Sequence, residues 1–467
     1  MKKLLLPFIL AIWSQALYGQ DTLKVLAVED LFAMILENHP VAKQANLLNE
    51  RARQELRMTR GLLDPSINSK LNHKEFQSKE YFTLWDSYLR VPTWLGVDLK
   101  AGYERNNGTF LNPENKTPAQ GLTYAGISVP LGQGLFIDER RSQIRQAQQF
   151  PAIAQAEQLK IINKLLLQAS KDYWDWMFYY NKWKLYNEAV GLATVRFNAT
   201  TERVVQGDMA AIDTVEAQMQ VQNFRILLTQ AEVEYKNSSL ILSNYLWSTE
   251  GVPLEITSKT VPPASGLPIT MLPNDSIAAL INRARVQHPD IVKLRAKLAQ
   301  QNIERRFIAD KFKPKLTLDF NLLQSDFGFQ SDALSSSYFN NNYKFGASFA
   351  QPLFLRTERG KFQMTKLKIQ ETNLELQQTS REISNSIQAS ANELAGLQSQ
   401  LQVQEGLVKN SEALRAGEQS RFESGESSIF LINSRECTLI SNKIKLFELK
   451  AKYAKSLVLV RWASGKI

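Results

Sequence analysis

Two stretches of this chain, residues 152–252 and 354–467, contain no proline, and no other feature restricts the fold as severely. Proline removes a backbone donor and clashes inside a helix, so its absence over such lengths permits helices far longer than the usual three turns. In the second stretch Ile387, Leu394, Leu401 and Val408 recur every seven residues, Leu397 adds a second seam position, and Gln, Ser, Asn and Glu fill the other faces. A stripe of that period makes a coiled coil rather than a globular core helix. Each stretch is broken near its middle by a glycine-centred turn, RVVQGDMAAID at 203–213 and RFESGESSIFL at 421–431, with arginine four residues before glycine in both. Helices of about 65 residues, roughly 100 Å, are expected from Glu139 to Gly207 and from Glu358 to Gly425, each followed by a return helix of about 40. Pro151 falls early in the first and is expected to kink it or delay its start.

The remaining prolines expose a duplication. Pro40 and Pro65 are 25 residues apart, as are Pro289 and Pro314, and the pairs are offset by 249. Each pair brackets a predicted helix, Val41 to about Gly61 and Asp290 to about Ala309, entered through a His-Pro step at His39 and His288. Proline at the first helical position costs nothing, because its missing N–H would be unpaired there anyway. A shorter amphipathic helix precedes each step, around 28–38 and 275–287.

After each second proline the period changes to two. In SINSKLNH, Ile67 and Leu71 alternate with Asn68, Lys70 and Asn72, and in KLTLDFNLL, Leu316, Leu318, Phe320 and Leu322 share a face. Alternation over about ten residues fits a tilted membrane-spanning strand, although a half-buried soluble sheet reads similarly. A closing strand follows in each repeat, GLTYAGISVPL at 121–131 and YKFGASFAQPL at 343–353, both ending in Pro-Leu. The first repeat carries a further candidate, WLGVDLKAGY at 94–103, so it holds either two strands or four.

The 44% hydrophobic and 22% charged fractions are those of a folded chain. No window approaches the roughly 20 apolar residues of a spanning helix. Residues 1–20, with Lys2 and Lys3 before an apolar run from Leu4 to Trp13, read as a secretory signal peptide, and the mature chain is expected to begin near Gln20 or Asp21. The lone Cys437 excludes an internal disulfide, and three histidines (His39, His73, His288) leave little for a metal or haem site, so no cofactor is expected. The net charge of +10 falls to +8 without Lys2 and Lys3. The basic residues are dispersed, which gives nucleic-acid binding no support.

The order is therefore a leader (1–20), a first repeat (21–252) with strands within 66–131 and a tip near 207, a proline-rich linker (253–273), and a second repeat (274–467) with strands within 315–353 and a tip near 425. The whole mature chain so arranged resembles the TolC-like outer-membrane efflux proteins. Their tip carries a glycine, an acid six residues on, a hydrophobic residue and Ala-Gln, found here as Gly207, Asp213, Val215, Ala217 and Gln218. The second tip keeps Arg421, Phe422, Gly425 and Ile429, but Leu431 and Ser434 stand where the family places an acid and its neighbour. The acidic ring some members carry at this constriction is therefore not transferred to this chain. The resemblance implies a mainly α fold with membrane β-strands: a homotrimer whose strands close one barrel in the outer membrane of a Gram-negative bacterium and whose helical hairpins form a periplasmic tunnel. It further implies a periplasmic adaptor, engaging tips marked by Arg203, Gly207, Asp213, Arg421 and Gly425, and an inner-membrane pump.

The sequence itself favours sharing the barrel between chains, since a few strands alone would leave open hydrogen-bonding edges in lipid. The leading reading is a passive exit duct of a tripartite efflux or type I secretion system. A periplasmic coiled-coil adaptor is the alternative, but an adaptor would have one hairpin and an anchor. An enzyme is not expected: there is no GxxxxGK[ST] loop, and the GQG at 132–134 lacks dinucleotide spacing and suits a tight turn. His39 and His288 occupy duplicated helix entries. Asp172 and Asp175, inside the aromatic run KDYWDWMFYY, are spaced like an ordinary helix face.

Overall fold

The computed structural model describes residues 24–257, 259–263, 274–325 and 342–465. The leader and most of the proline-rich linker lie outside the described residues. Two compact units emerge, and each draws on both repeats. A sheet unit comprises 41–164, 272–391 and the chain end from 460, and a hairpin unit comprises the residues up to Pro40 together with 165–271 and 392–459.

The chain runs through β1 (Lys24–Val25), α1 (Val28–Asn38), α2 (Pro40–Arg60), β2 (Ser66–Phe76), β3 (Lys79–Pro92), β4 (Asp98–Asn107), β5 (Leu122–Pro130), α3 (Glu139–Ala147), α4 (Phe150–Val205) and α5 (Ala211–Ser243). The second repeat follows as β6 (Thr260–Val261), α6 (Asn274–Gln287), α7 (Pro289–Asp310), β7 (Lys315–Gln324), β8 (Tyr343–Ala350), α8 (Arg356–Glu423) and α9 (Ile429–Ala463). The first long helix differs from the unbroken element expected from Glu139. It is interrupted at Gln148–Gln149, and Pro151 sits in the first turn of α4, where it has no donor to withhold. Its counterpart α8, without proline, is continuous over 68 residues.

In the sheet unit six strands form one antiparallel meander in the order β2-β3-β4-β5-β7-β8. Among the described residues the first repeat thus supplies four strands to this sheet and the second two, so of the two or four strands left open by the sequence the first repeat has four. Leu95, expected on a strand, instead lies in the β3–β4 turn, where Thr93 and Val97 are joined by an N–H···O bond of 3.0 Å. Around the sheet's helical side, α7 is bonded to α4 through Lys160–Asp290 at 2.8 Å and Lys293–Glu157 at 2.6 Å, and to α8 through Gln301–Thr372 at 3.0 Å.

In the hairpin unit α4, α5 and α9 enclose a core that includes Tyr186, Ala189, Val221, Phe224 and Ile440. The α8 heptad seam is buried as the spacing requires, with Leu394, Leu401 and Val408 at most 8% exposed. Near the turn the alternate seam positions become polar: Gln404 donates to the Asn442 carbonyl at 3.0 Å, and Ser411 accepts from Asn442 at 2.7 Å. Short β1 pairs in parallel with β6, so the described part of the linker is extended and bonded.

Candidate functional site

The hairpin unit holds the two glycine turns. Gly207 and Gly425 adopt φ of +84° and +80°, the left-handed region that only glycine enters freely. In the first turn the Gly207 N–H donates to Val204 O at 3.1 Å and the Asp208 N–H to Arg203 O at 2.9 Å. In the second, the Gly425 N–H donates to Phe422 O at 3.1 Å and the Glu426 N–H to Arg421 O at 2.8 Å. The shared Arg-x-x-x-Gly spacing therefore has a backbone cause. A left-handed glycine lets the next residue cap the carbonyl at the arginine position, and this cap uses only the arginine's backbone.

The return helices start differently. In the first, the Asp213 carboxylate accepts from the Ala210 N–H at 3.2 Å. In the second, offset by 218 residues, Ser428 replaces Ala210 and Leu431 replaces Asp213. The Ser428 hydroxyl there accepts the Leu431 N–H at 3.4 Å, so each tip uses one half of a capping box. This gives Asp213 a structural task and explains why an apolar residue at 431 leaves the second helix capped.

Of the predicted tip residues, the structure sets Arg203 against the second turn, its guanidinium 5.5 Å from the Phe422 ring centre. It also assembles groups that the sequence reading missed. Glu418, 6% exposed, accepts from Ser427 at 2.6 Å and lies 3.9 Å from Arg421 and 3.6 Å from Arg435. The Ser427 hydroxyl, then the two arginines, hold its carboxyl below the usual range. Buried Glu436 pairs with Arg196, which also donates to Asn433 at 3.0 Å. Glu418 continues the seven-residue line through Gln404 and Ser411, which was the available signal. Glu423 and Glu426 are both exposed.

Residues singled out as possible catalysts are engaged elsewhere. Asp172 accepts from the Tyr245 hydroxyl at 2.5 Å, and Asp175 pairs with Lys455. His288 accepts the Asp290 N–H on Nδ1 at 3.2 Å, capping α7, while His39 packs between Tyr245 and Trp247. Burial, the leading cause for both, lowers the pKa of each imidazole. In the aromatic run, Tyr173 donates to Leu26 O at 2.8 Å and Trp176 to Ser239 at 3.1 Å.

The sheet unit presents the second surface. Register places Ile67, Leu71, Leu89, Leu99, Ile127, Leu318, Phe320, Phe345 and Phe349 on one face. Lys70, Asp86, Lys100, Asp319 and Lys344 lie on the other, where Lys100 meets Asp319 at 3.4 Å and Tyr124 donates to Asp86 at 2.8 Å. The apolar face is open: Ile67 is 83%, Leu71 65% and Phe349 70% exposed. Exposed Trp94, Phe136 and Phe354 lie at the strand ends nearest the helices. Those ends are fixed by Arg141, 4% exposed, which donates to Leu95 O at 3.3 Å, to Leu135 O at 3.1 Å and to Gly134 O, while Asp310 accepts the Gly134 N–H at 2.6 Å. A Cβ on Gly132 would stand 2.0 Å from Pro314 O. The GQG segment is thus a tight strand-to-helix turn. Among the described residues no helix is long and apolar enough to cross a membrane, and no acid, His or Cys cluster suits a metal.

Residues 280–466 match the family model described as outer membrane efflux protein. Among solved structures, the fold is similar to an open-state outer membrane channel, MtrE, of Neisseria gonorrhoeae, at 15% identity and a TM-score of 0.66, over 94% of this chain and 89% of that one. It is likewise similar to a membrane protein of Pseudomonas aeruginosa at 16% identity and a TM-score of 0.65, over 95% and 92% of the two chains. The outer membrane channel CmeC of Campylobacter jejuni aligns at 14% identity and a TM-score of 0.63, over 94% and 85%. No curated protein matches the sequence.

Proposed function

We infer the role of this chain from its kinship and its surfaces together: it belongs to the TolC-like outer membrane efflux protein family, and it acts as an outer-membrane exit duct. The observation that carries this reading is the sheet whose apolar face is open while Asp86, Lys100, Asp319 and most other ionised residues lie on the opposite face. A soluble sheet buries its apolar face, whereas a barrel wall in lipid turns it outward and keeps a polar lumen. An adaptor has no use for such a wall. Strands of 8 to 14 residues match the roughly 9–11 needed to span a bilayer when tilted. Trp94, Phe136 and Phe354 suit a belt at the membrane–water boundary.

The working unit is a homotrimer with its helical hairpins in the periplasm. On α5 the residues Ile212, Met219, Ile226, Val233 and Leu240 recur every seven positions and are all at least 52% exposed. A strict heptad stripe left open on one protomer is the seam expected for a helix of another. The glycine turns, marked by Arg203, Gly207, Asp213, Arg421 and Gly425, are the surface for a periplasmic adaptor, which links the duct to an inner-membrane pump. The duct is read as passive, in keeping with the efflux-protein family model that its residues 280–466 match.

The test is export with the tips altered. No atom lies within 4 Å of a Cβ built on Gly207 or Gly425, so the conformation alone penalises substitution. A β-branched residue there costs about 1–3 kcal/mol, while asparagine tolerates the left-handed region. Gly207→Val with Gly425→Val should abolish dye efflux while the heat-modifiable trimer still forms, and the paired Asn variants should retain efflux. Loss of the trimer in the Val variant would show that the turns serve assembly rather than docking.

A further inference from the structure

Within the sheet unit, where the strands meet their helices, the polar face bears a pocket of about 500 Å³. Its floor includes Arg90, Asp98, Ser128 and Thr317, which register sets on the same face as Lys100 and Asp319. The start of α3 lines it with Asp138, Glu139 and Arg140. Phe307 on α7, then Lys311 and Lys315 at the step from α7 into β7, complete the lining. Such a volume is that of a small-molecule site.

The acids and the cations of this pocket are not matched alike. Asp98, 8% exposed, accepts from Arg90 at 2.9 Å and from Arg140 at 3.0 Å, and Arg140 also meets Asp138 at 3.3 Å. Two of the lining carboxylates are therefore answered by arginines, as burial of such a charge demands. Glu139 has an amide donor, Gln143 at 3.4 Å. Lys311 and Lys315 meet no acid among the described residues. The Lys311 ammonium instead lies 4.4 Å over the Phe307 ring, and Lys313, between the two in sequence, is the one that takes an acid, Asp310 at 2.5 Å. Two ammonium groups beside the hydroxyls of Ser128 and Thr317 and the amide of Gln133 form a set of donors suited to several oxygens of one anion. A concave wall focuses their field, while salt limits its reach to about 8 Å, so it acts on a solute that enters the pocket.

Resting on the duct reading above, which makes this face the lumen wall, we propose that the pocket is an oxyanion site on the conduction path: Lys311 and Lys315 bind the phosphate or clustered carboxylate groups of solutes in transit, and the duct favours anionic cargo. The arginine-bound Asp98 gives the site its shape. Held from two sides, it fixes the β3 and β4 ends against the start of α3, so the lysines face a preformed wall rather than a loop. Phe307 adds an apolar surface beside the cations, which suits an organic anion better than chloride.

The test titrates inorganic pyrophosphate into the purified full chain in detergent at about 0.15 M salt, followed by calorimetry, and in parallel adds pyrophosphate to the protein in planar bilayers. Saturable binding and a concentration-dependent fall in single-channel current are expected. Lys311→Gln with Lys315→Gln should weaken both by about tenfold or more, and the paired Arg variants should restore them. Lys344→Gln, on the same face but outside the pocket, should leave both unchanged. Absence of binding, binding that survives the Gln pair, or an equal loss from Lys344→Gln, the mark of diffuse attraction, would overturn the site. Binding without a fall in current would overturn its place on the conduction path. A protein that binds pyrophosphate but opens no pore would overturn the duct reading instead.

Discussion

Arg141 ties two segments together at the helical end of the sheet, because carbonyls of both, three in all, depend on its guanidinium. Arg141→Met keeps the bulk but leaves those three acceptors without their donor, while Arg140, 3.3 Å from the Asp138 carboxylate, still neutralises it. The expected loss is about 1–3 kcal/mol, the cost of leaving a buried polar group unpaired, read as a lower temperature of heat modification. The two helix-entry histidines make a different prediction. Burial depresses the His288 pKa; neighbouring Lys160 works in the same direction and Asp290 against it. The folded chain therefore holds a neutral imidazole at a pH where the unfolded chain, near 6.5, already takes up a proton. Stability is complete above about pH 6.5 and falls on acidification towards the depressed value, by up to about 1.4 kcal/mol per pH unit for each such group. His288→Asn, which still caps α7, should flatten that acid slope in thermal melts followed by helical circular dichroism. An unchanged slope would assign the pH dependence to other groups.

At the scale of elements, the helices follow from pattern and the strands only in part. The exposed α5 stripe should be assembly-critical: Ile226→Asp with Val233→Asp sets charges in the seam proposed between protomers, and should convert the heat-resistant trimer to monomer without loss of helix content. Retention of the trimer would remove the stripe from the interface. Helix starts at Pro40 and Pro289, the glycine turns and the α8 seam were legible because proline, left-handed glycine and heptad spacing each have one dominant structural cause. β3 was not. Its faces mix Phe82, Leu84 and Tyr88 with Asp86 and Arg90, so no period of two stands out, and the turn before it uses Gln77 and Ser78 at positive φ in place of the usual Asn-Gly. The break in the first long helix was legible through Pro151. The Glu418 cluster was not, because its arginines come from separate helices that only the folded hairpins bring together.

For the whole molecule, the duplicated frame offers the proposed duct a route into a membrane although no helix among the described residues is long and apolar enough to cross one. Each repeat pairs a few amphipathic strands with a long helical hairpin, and neither part is complete alone: the sheet has open edges, and the hairpins have an open seam. In the proposed trimer further copies of the same chain meet both deficits, and the α5 stripe is the seam that would join them. The polar residues of α8 near its turn and the uncovered apolar face of the sheet then cease to be anomalies. In the proposed duct one lines a wet wall, and the other meets lipid. The duct reading predicts where the protein resides, and sucrose-gradient separation of cell envelopes measures that directly. It should sediment with outer membrane, resist extraction by carbonate, and run as a trimer until heated. Recovery as a monomer in the soluble periplasmic fraction would contradict the account.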